Sequence, residues 1–173
     1  MLRDVLGFSA RETAEMLGTS TVAAHRLLSR AREGLPAVER TAAPLPESRE
    51  ERELVDRFVH AFEGGDIGGV LALLTDDALL TMPPEPIEYQ GPAAIGRFLT
   101  IVPAGGRLEQ FRLVPTRANG QPAFGCYLRD PHTPIAHAYG LMVLTLAGER
   151  ISTITRFGSH VLPHFGLPRT IPW

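Results

Sequence analysis

RLEQFRLVPTRANGQPAFGCYLRDPHTPIAHAYGLMVLTLAGERISTITRF, residues 107–157, decides the fold. Its apolar residues recur with a period near two, the period of a pleated strand. Asn119-Gly120 is a strong two-residue hairpin signal, and Ala147-Gly148 marks a second reversal. Four strands are expected: Arg107–Arg117, Ala123–Arg129, His137–Leu146 and Arg150–Phe157.

Ahead of this meander the period lengthens. In Arg49–Glu63, Leu54, Phe58, Val59, Ala61 and Phe62 fall on one helical stripe with charges opposite. Gly64-Gly65-Asp66 ends that helix, and a second spans about Ile67–Leu74. Asp76-Asp77 reads as the end of that second helix. Ala78–Met82 reads as a strand stopped by Pro83-Pro84, and Pro92–Ile101 as a third helix with proline in its first turn. Helices followed by an antiparallel meander give an α+β class, and a sheet curled over three helices encloses a cone suited to a small molecule.

Residues 1–35 are a separate, all-helical piece. Ser9 and Glu12 have capping-box spacing, so a helix should start at Ala10 and run to Leu17, where Gly18 turns the chain. Thr19 or Ser20 caps a second helix reaching about Glu33, stopped by Gly34 and Pro36. Ala14, Leu17, Ala24, Leu28 and Ala31 are the small apolar contacts of two crossed helices. Helix, short glycine turn, helix is the spacing of a helix-turn-helix, whose second helix offers Ser20, Thr21, His25, Arg26, Ser29 and Arg30 to a DNA major groove. An ordinary helical hairpin satisfies the same pattern. Residues 36–48, with Pro36, Pro44 and Pro46, read as an extended linker, and residues 49–173 as the second domain.

The totals bound the function. A net charge of -2 provides no global attraction to nucleic acid, so any basic patch is local. A single cysteine, Cys126, rules out an internal disulfide framework and argues against a cysteine zinc site. His132, His160 and His164 sit near prolines without metal-triad spacing, so no metal is expected. No P-loop or dinucleotide fingerprint is present, so no cofactor is expected. No apolar run approaches the roughly 20 residues of a bilayer span, and the expected setting is the cytoplasm. Glu47–Glu53 reads as a solvated charge run.

The order Phe58–Phe62, Gly65-Asp66, Leu71–Leu74, Asp76-Asp77-Ala78 and the four final strands resembles the SnoaL-like family, which shares the nuclear-transport-factor-two cone with ketosteroid isomerases and polyketide cyclases. The first piece, through Leu2–Ala10, Thr13–Ser20 and Arg30-Ala31-Arg32, resembles the fourth conserved region of extracytoplasmic-function sigma factors. One branch of those factors carries a SnoaL-like domain after the fourth region. This chain resembles that branch in Met82-Pro83-Pro84, Tyr89-Gln90-Gly91, Leu113–Phe124, Val143–Leu146 and Phe165–Pro168. The resemblance implies promoter DNA and RNA polymerase core as partners. It also implies a second conserved region ahead of the fourth, one that binds core and melts DNA. The sequence begins inside the fourth region, so this stretch alone is not expected to initiate transcription.

Laid along the isomerase pattern, the oxyanion tyrosine falls on Phe58, the base on Met82, and the third group near Tyr139–Leu141, where no carboxylate stands. Isomerase chemistry of that type is therefore excluded. The expected pocket comprises Phe58, Phe62, Met82, Tyr89, Phe98, Phe124, His137 and Tyr139, fitting a small apolar ligand. If the domain is instead an enzyme (a cyclase, isomerase or epoxide hydrolase), His137, Tyr139, Glu88 and Arg156 are the candidate groups. Alternation puts His137 with Tyr139 on one strand face and Ala138, Gly140, Met142 and Leu144 on the other, and either face could line the cone. Homodimer pairing through the open sheet face is a further expectation.

Overall fold

The apolar stripe expected in residues 49–63 lies on α3, Arg49–Glu63, and its buried side holds Leu54, Phe58, Ala61 and Phe62. This is seen in a computed structural model, which describes residues 9–34 and 42–173, without the side chains of Ala10, Leu28 and residues 31–34. The chain divides into two compact units, Met1–Glu39 and Arg40–Trp173.

In the first unit, α1 (Ala10–Met16) opens on a complete capping box: Ser9 Oγ accepts from the Glu12 amide, and the Glu12 carboxylate accepts from the Ser9 amide. Gly18 adopts φ 60°, which lets the Thr19 amide donate to the Ala14 carbonyl. Ser20, not Thr19, caps α2 (Thr21–Gly34), its hydroxyl accepting from the Ala23 amide. Ala14 and Ala24 are buried, as small residues at a close helix crossing should be. Leu17, expected among these contacts, is 54% exposed because α1 ends at Met16 and turns it outward. Pro36 and linker residues 36–41, together with the side chains of Leu28 and Ala31, lie outside the described residues.

The second unit begins before the expected Arg49. The Ala42 carbonyl accepts from the Gly148 amide, so residues 42–48, read as linker, are held to the turn at Ala147-Gly148 and lead directly into the Ser48 cap of α3. After α3 come α4 (Ile67–Ala72), β1 (Leu74–Thr81), β2 (Glu88–Gln90) and α5 (Gly91–Ile101). The meander follows as β3 (Phe111–Ala118), β4 (Gln121–Arg129), β5 (Ile135–Ala147) and β6 (Arg150–Gly158), and β7 (Thr170–Pro172) closes the chain. The sheet order is β2-β1-β6-β5-β4-β3, with β7 on β5. Because β1 runs parallel to β6, the sheet is mixed and not wholly antiparallel as expected.

Several local readings need correction. Asp76-Asp77 do not end a helix: both lie in β1, where the register on β6 shifts between Leu74 and Leu79 and turns the acids to solvent. Residues 108–110 are a 3-10 turn, so β3 begins at Phe111. Glu51, read as part of a solvated run, is 5% exposed. The two-residue turn at Asn119-Gly120 is formed, with both residues at positive φ.

The inner face of the sheet packs on α3, α4 and α5. Phe58 lies at the centre, fully buried, 5.7 Å from the Phe62 ring and 6.3 Å from the Phe124 ring. The tail after β6 crosses the outer face. A 3-10 segment, Ser159–Phe165, places Leu162 over Tyr127 and Ala136, and the Tyr127 hydroxyl donates to the Pro168 carbonyl. Among the described residues no helix is long and apolar enough to cross a membrane.

Candidate functional site

The second unit holds an internal cavity between α4, α5 and the inner sheet face. Its wall is Phe62, Val70, Leu80, Phe98, Leu99, Pro103, Phe111, Cys126, Tyr139, Met142, Ile154 and Arg156. The free volume is about 30 Å³. A water needs roughly 10–15 Å³ on that measure, so the space holds two or three waters and is far below the roughly 300–1,000 Å³ of a drug-sized site.

Aromatic rings narrow it. Phe111 meets Tyr139 edge-on at 5.0 Å and Phe62 at 5.9 Å. Arg156 places its guanidinium 4.2 Å from the centre of the Tyr139 ring, and its Nη1 lies 3.7 Å from Met82 Sδ. Cys126 is entirely enclosed, and burial pushes its thiol up to about 12 although the nearby Arg156 charge works the other way. It is a neutral, inert wall group.

The position of Tyr139 depends on a bulge. In the β4–β5 pairing Tyr127 faces Ala138 and Cys126 faces Gly140, which leaves Tyr139 as the extra residue. The alternation therefore changes phase within β5. Tyr139 joins Met142 and Leu144 in the inner core, whereas Leu141 and Val143 join the outer cluster. Strict alternation had put Tyr139 and Met142 on opposite faces. Gly140 makes the bulge feasible, because a Cβ there would run into the Phe157 carbonyl and come within 3.7 Å of Arg156 Nε. Gly140→Ala is expected to destabilise this unit by about 1–3 kcal/mol, read as a lowered urea midpoint; an unchanged midpoint would remove the bulge argument.

Of the expected pocket residues, Phe62, Phe98 and Tyr139 stand in the wall. Four others lie just behind it: Phe58 packs behind Phe62, Phe124 behind Phe58, Tyr89 against Phe98 at 4.9 Å, and Met82 beside Arg156. His137 is not in the cavity. Its ring is 55% exposed, and Nε2 lies 3.1 Å from Asp130 Oδ2. Asp130 also accepts from the His132 and Thr133 amides, which together with His137 hold its carboxyl below the ordinary value. Glu88 is exposed on the edge strand β2. The four groups considered for acid–base chemistry are thus dispersed: Tyr139 and Arg156 line the cavity, His137 and Glu88 do not. Cys126, Leu80 and Ile154 are wall residues outside the expected set, although their alternate positions on β4, β1 and β6 carry the signal, and Met142 comes from the β5 face that the alternation left open. No group of three or more metal-ligating side chains occurs among the described residues.

In the first unit Ser20, Thr21, His25, Arg26, Ser29 and Arg30 are all exposed on α2, and Ala24 turns to the helix crossing. Arg26 and Arg30 are four residues apart and so share a helix face. No acidic residue lies between Thr21 and Ala31.

Comparison with known proteins finds the SnoaL-like domain over residues 55–152. The ECF RNA polymerase sigma factor SigG of Mycobacterium tuberculosis is 38% identical over 177 residues, covering 99% of this chain and 47% of SigG. The chain therefore spans about half the length of that relative. The crystal structure of the M. tuberculosis extracytoplasmic function sigma factor SigJ superposes with a TM-score of 0.57 at 23% identity, over 91% of this chain and 55% of SigJ. An NTF-2 like protein from Burkholderia xenovorans superposes with a TM-score of 0.53 at 16% identity, over 66% of this chain and 86% of its own. These two superpositions concern the fold.

Proposed function

The chain belongs to the SnoaL-like domain family, and from that membership and its likeness to a sigma factor we propose that it serves transcription. In this reading α2 contacts promoter DNA, or polymerase bound to it, and the SnoaL-like unit modulates that contact through its cavity. The observation that carries the reading is the exposed face of α2. Ser20 and Thr21 stand at its N-terminal end for phosphate contacts, and Arg26 and Arg30 lie along one side with no acid between them. A recognition helix uses its N-terminal half for base edges, and arginine forks onto guanine. The near-neutral chain makes this attraction local, so binding should be salt-sensitive with a modest slope.

The alternative, an enzyme of cyclase, isomerase or epoxide hydrolase type, has less support. General acid–base chemistry needs a positioned base, most often an imidazole or a carboxylate. Among the described residues the cavity wall offers one cation and no carboxylate or imidazole. Self-pairing through the outer sheet face would have to displace Leu162 and Leu167, which already cover it.

The test is an electrophoretic mobility shift with promoter-like duplexes at two salt concentrations, with and without core polymerase. Arg26→Ala and Arg30→Ala are each expected to weaken sequence-selective binding by about tenfold or more, the cost of one lost base-reading arginine. Absence of binding at low salt in both mixtures would sink the reading.

A further inference from the structure

Arg156 stands at a position where the alternation of β6 calls for an apolar side chain. Ile154, two residues earlier on the same face, lines the same cavity, and Met142 faces Arg156 across the β5–β6 ladder. A guanidinium carries five N–H donors in a planar fork. Its contacts here are poor acceptors: the Tyr139 ring face at 4.2 Å and a thioether sulfur at 3.7 Å. Among the described residues no carboxylate pairs with it, whereas Arg117, Arg150, Arg49 and Arg11 each have one. Gly140 leaves open the space beside Nε that a side chain would fill.

The rest of the wall is apolar and aromatic, with Phe62, Phe98, Leu99, Phe111 and Met142 facing the space below the guanidinium. We propose that this cavity binds a small monocarboxylate, its carboxylate forked on Arg156 and a short apolar body held among Phe98, Phe111 and Met142. The proposal deepens the reading that the SnoaL-like unit acts through its cavity, and it names the ligand class. A carboxylate accepts the two parallel N–H bonds that neither the ring nor the sulfur can take, and it does so in a poorly hydrated site where such bonds are stronger than in water. The guanidinium can keep its stacking on Tyr139 while donating in its own plane. Cys126 remains a neutral thiol and does not repel an anion.

The free volume of about 30 Å³ excludes long chains and fused rings. Space for two or three waters admits an acid of two or three carbons, with Met142, an unbranched side chain of the wall, able to adjust to it.

The experiment is isothermal titration of the full chain with acetate and propionate, each against its uncharged amide, acetamide and propionamide. Acids are expected to bind about tenfold or more tightly than their amides, the preference a charge-assisted fork confers. Arg156→Gln should abolish that preference, and Arg156→Lys, which keeps charge without the fork, should retain part of it. Acids and amides binding alike would overturn the ligand class while leaving a ligand-binding cavity. Absence of binding of all four compounds at millimolar concentration would overturn the ligand class and the cavity reading together. The acid–amide comparison on the unaltered chain decides these cases even where a variant fails to fold. Undiminished acid preference in a folded Arg156→Gln would remove Arg156 from the site.

Discussion

Phe58→Ala is expected to cost the second unit about 3–5 kcal/mol, the range for deleting a buried phenylalanine ring. Phe58 is 0% exposed and lies between the rings of Phe62 and Phe124, so its removal leaves a void bounded by α3 on one side and the sheet on the other. Neither wall can collapse cheaply. The Ser48 cap and the Glu51–Arg117 pair hold α3 in place, and the Phe124 strand is hydrogen-bonded on both edges. Urea denaturation followed by far-ultraviolet circular dichroism reads the loss as a lowered midpoint at constant slope. A loss under about 1 kcal/mol would mean that the helix and sheet are not packed as described. Phe58→Tyr restores the ring volume and adds the hydroxyl that the isomerase pattern has at this position. It should still destabilise, because the added hydroxyl enters a cluster of buried apolar side chains.

How far the sequence could be read depends on which signals are periodic. The four meander strands and the stripe on α3 repeat a burial pattern over many residues, so a single exception did not hide them. The Phe62–Phe98–Tyr139 side of the cavity follows from that periodicity. The bulge at Tyr139 does not, because one extra residue shifts the phase by one and leaves no compositional mark except Gly140, which reads equally as a turn or a close approach. Alternation gives the face of a strand and not how far along it a cavity reaches, so His137, which does share the inner face with Tyr139 and stands opposite Leu128, reads as a pocket residue. It lies instead at the open end of β5, paired with Asp130. Asp76-Asp77 misled for a different reason: a strand whose ladder is interrupted between Leu74 and Leu79 tolerates two exposed acids that resemble a helix end. β7 is three residues long and is held by pairing with β5, a contact remote in sequence. The buried state of Glu51 was equally hidden, since its partner is 66 residues away.

That last residue supports the second large effect. The Glu51 carboxylate accepts from Arg117 Nη1 at 2.7 Å and Nη2 at 3.2 Å, and also from the Glu47 amide at 3.0 Å. The fork joins the first turn of α3 to the end of β3, and Arg117 also donates to the Gly120 carbonyl in the hairpin turn. Removing one partner of a buried pair strands the other, which costs about 3–5 kcal/mol in fully enclosed cases. Arg117 keeps 33% of its side chain exposed and can recruit water, so Glu51→Gln should fall below that range, at about 1–3 kcal/mol. The pH dependence has a fixed sign. Hydrogen bonds from Arg117 hold the Glu51 carboxyl below its ordinary 4.5 in the folded chain. Its contribution is therefore fully present above the unfolded value and is lost as pH falls through the lower, folded one. Stability curves of the unaltered chain and Glu51→Gln should run parallel from neutral pH down to about 4.5 and converge below it. A gap that stays constant through the acid range would mean that the substitution acts through packing and not through the charge. The double replacement Glu51→Leu with Arg117→Leu separates these contributions further. If the pair serves mainly to specify how the hairpin docks on α3, the double variant should recover most of the stability that either single change loses.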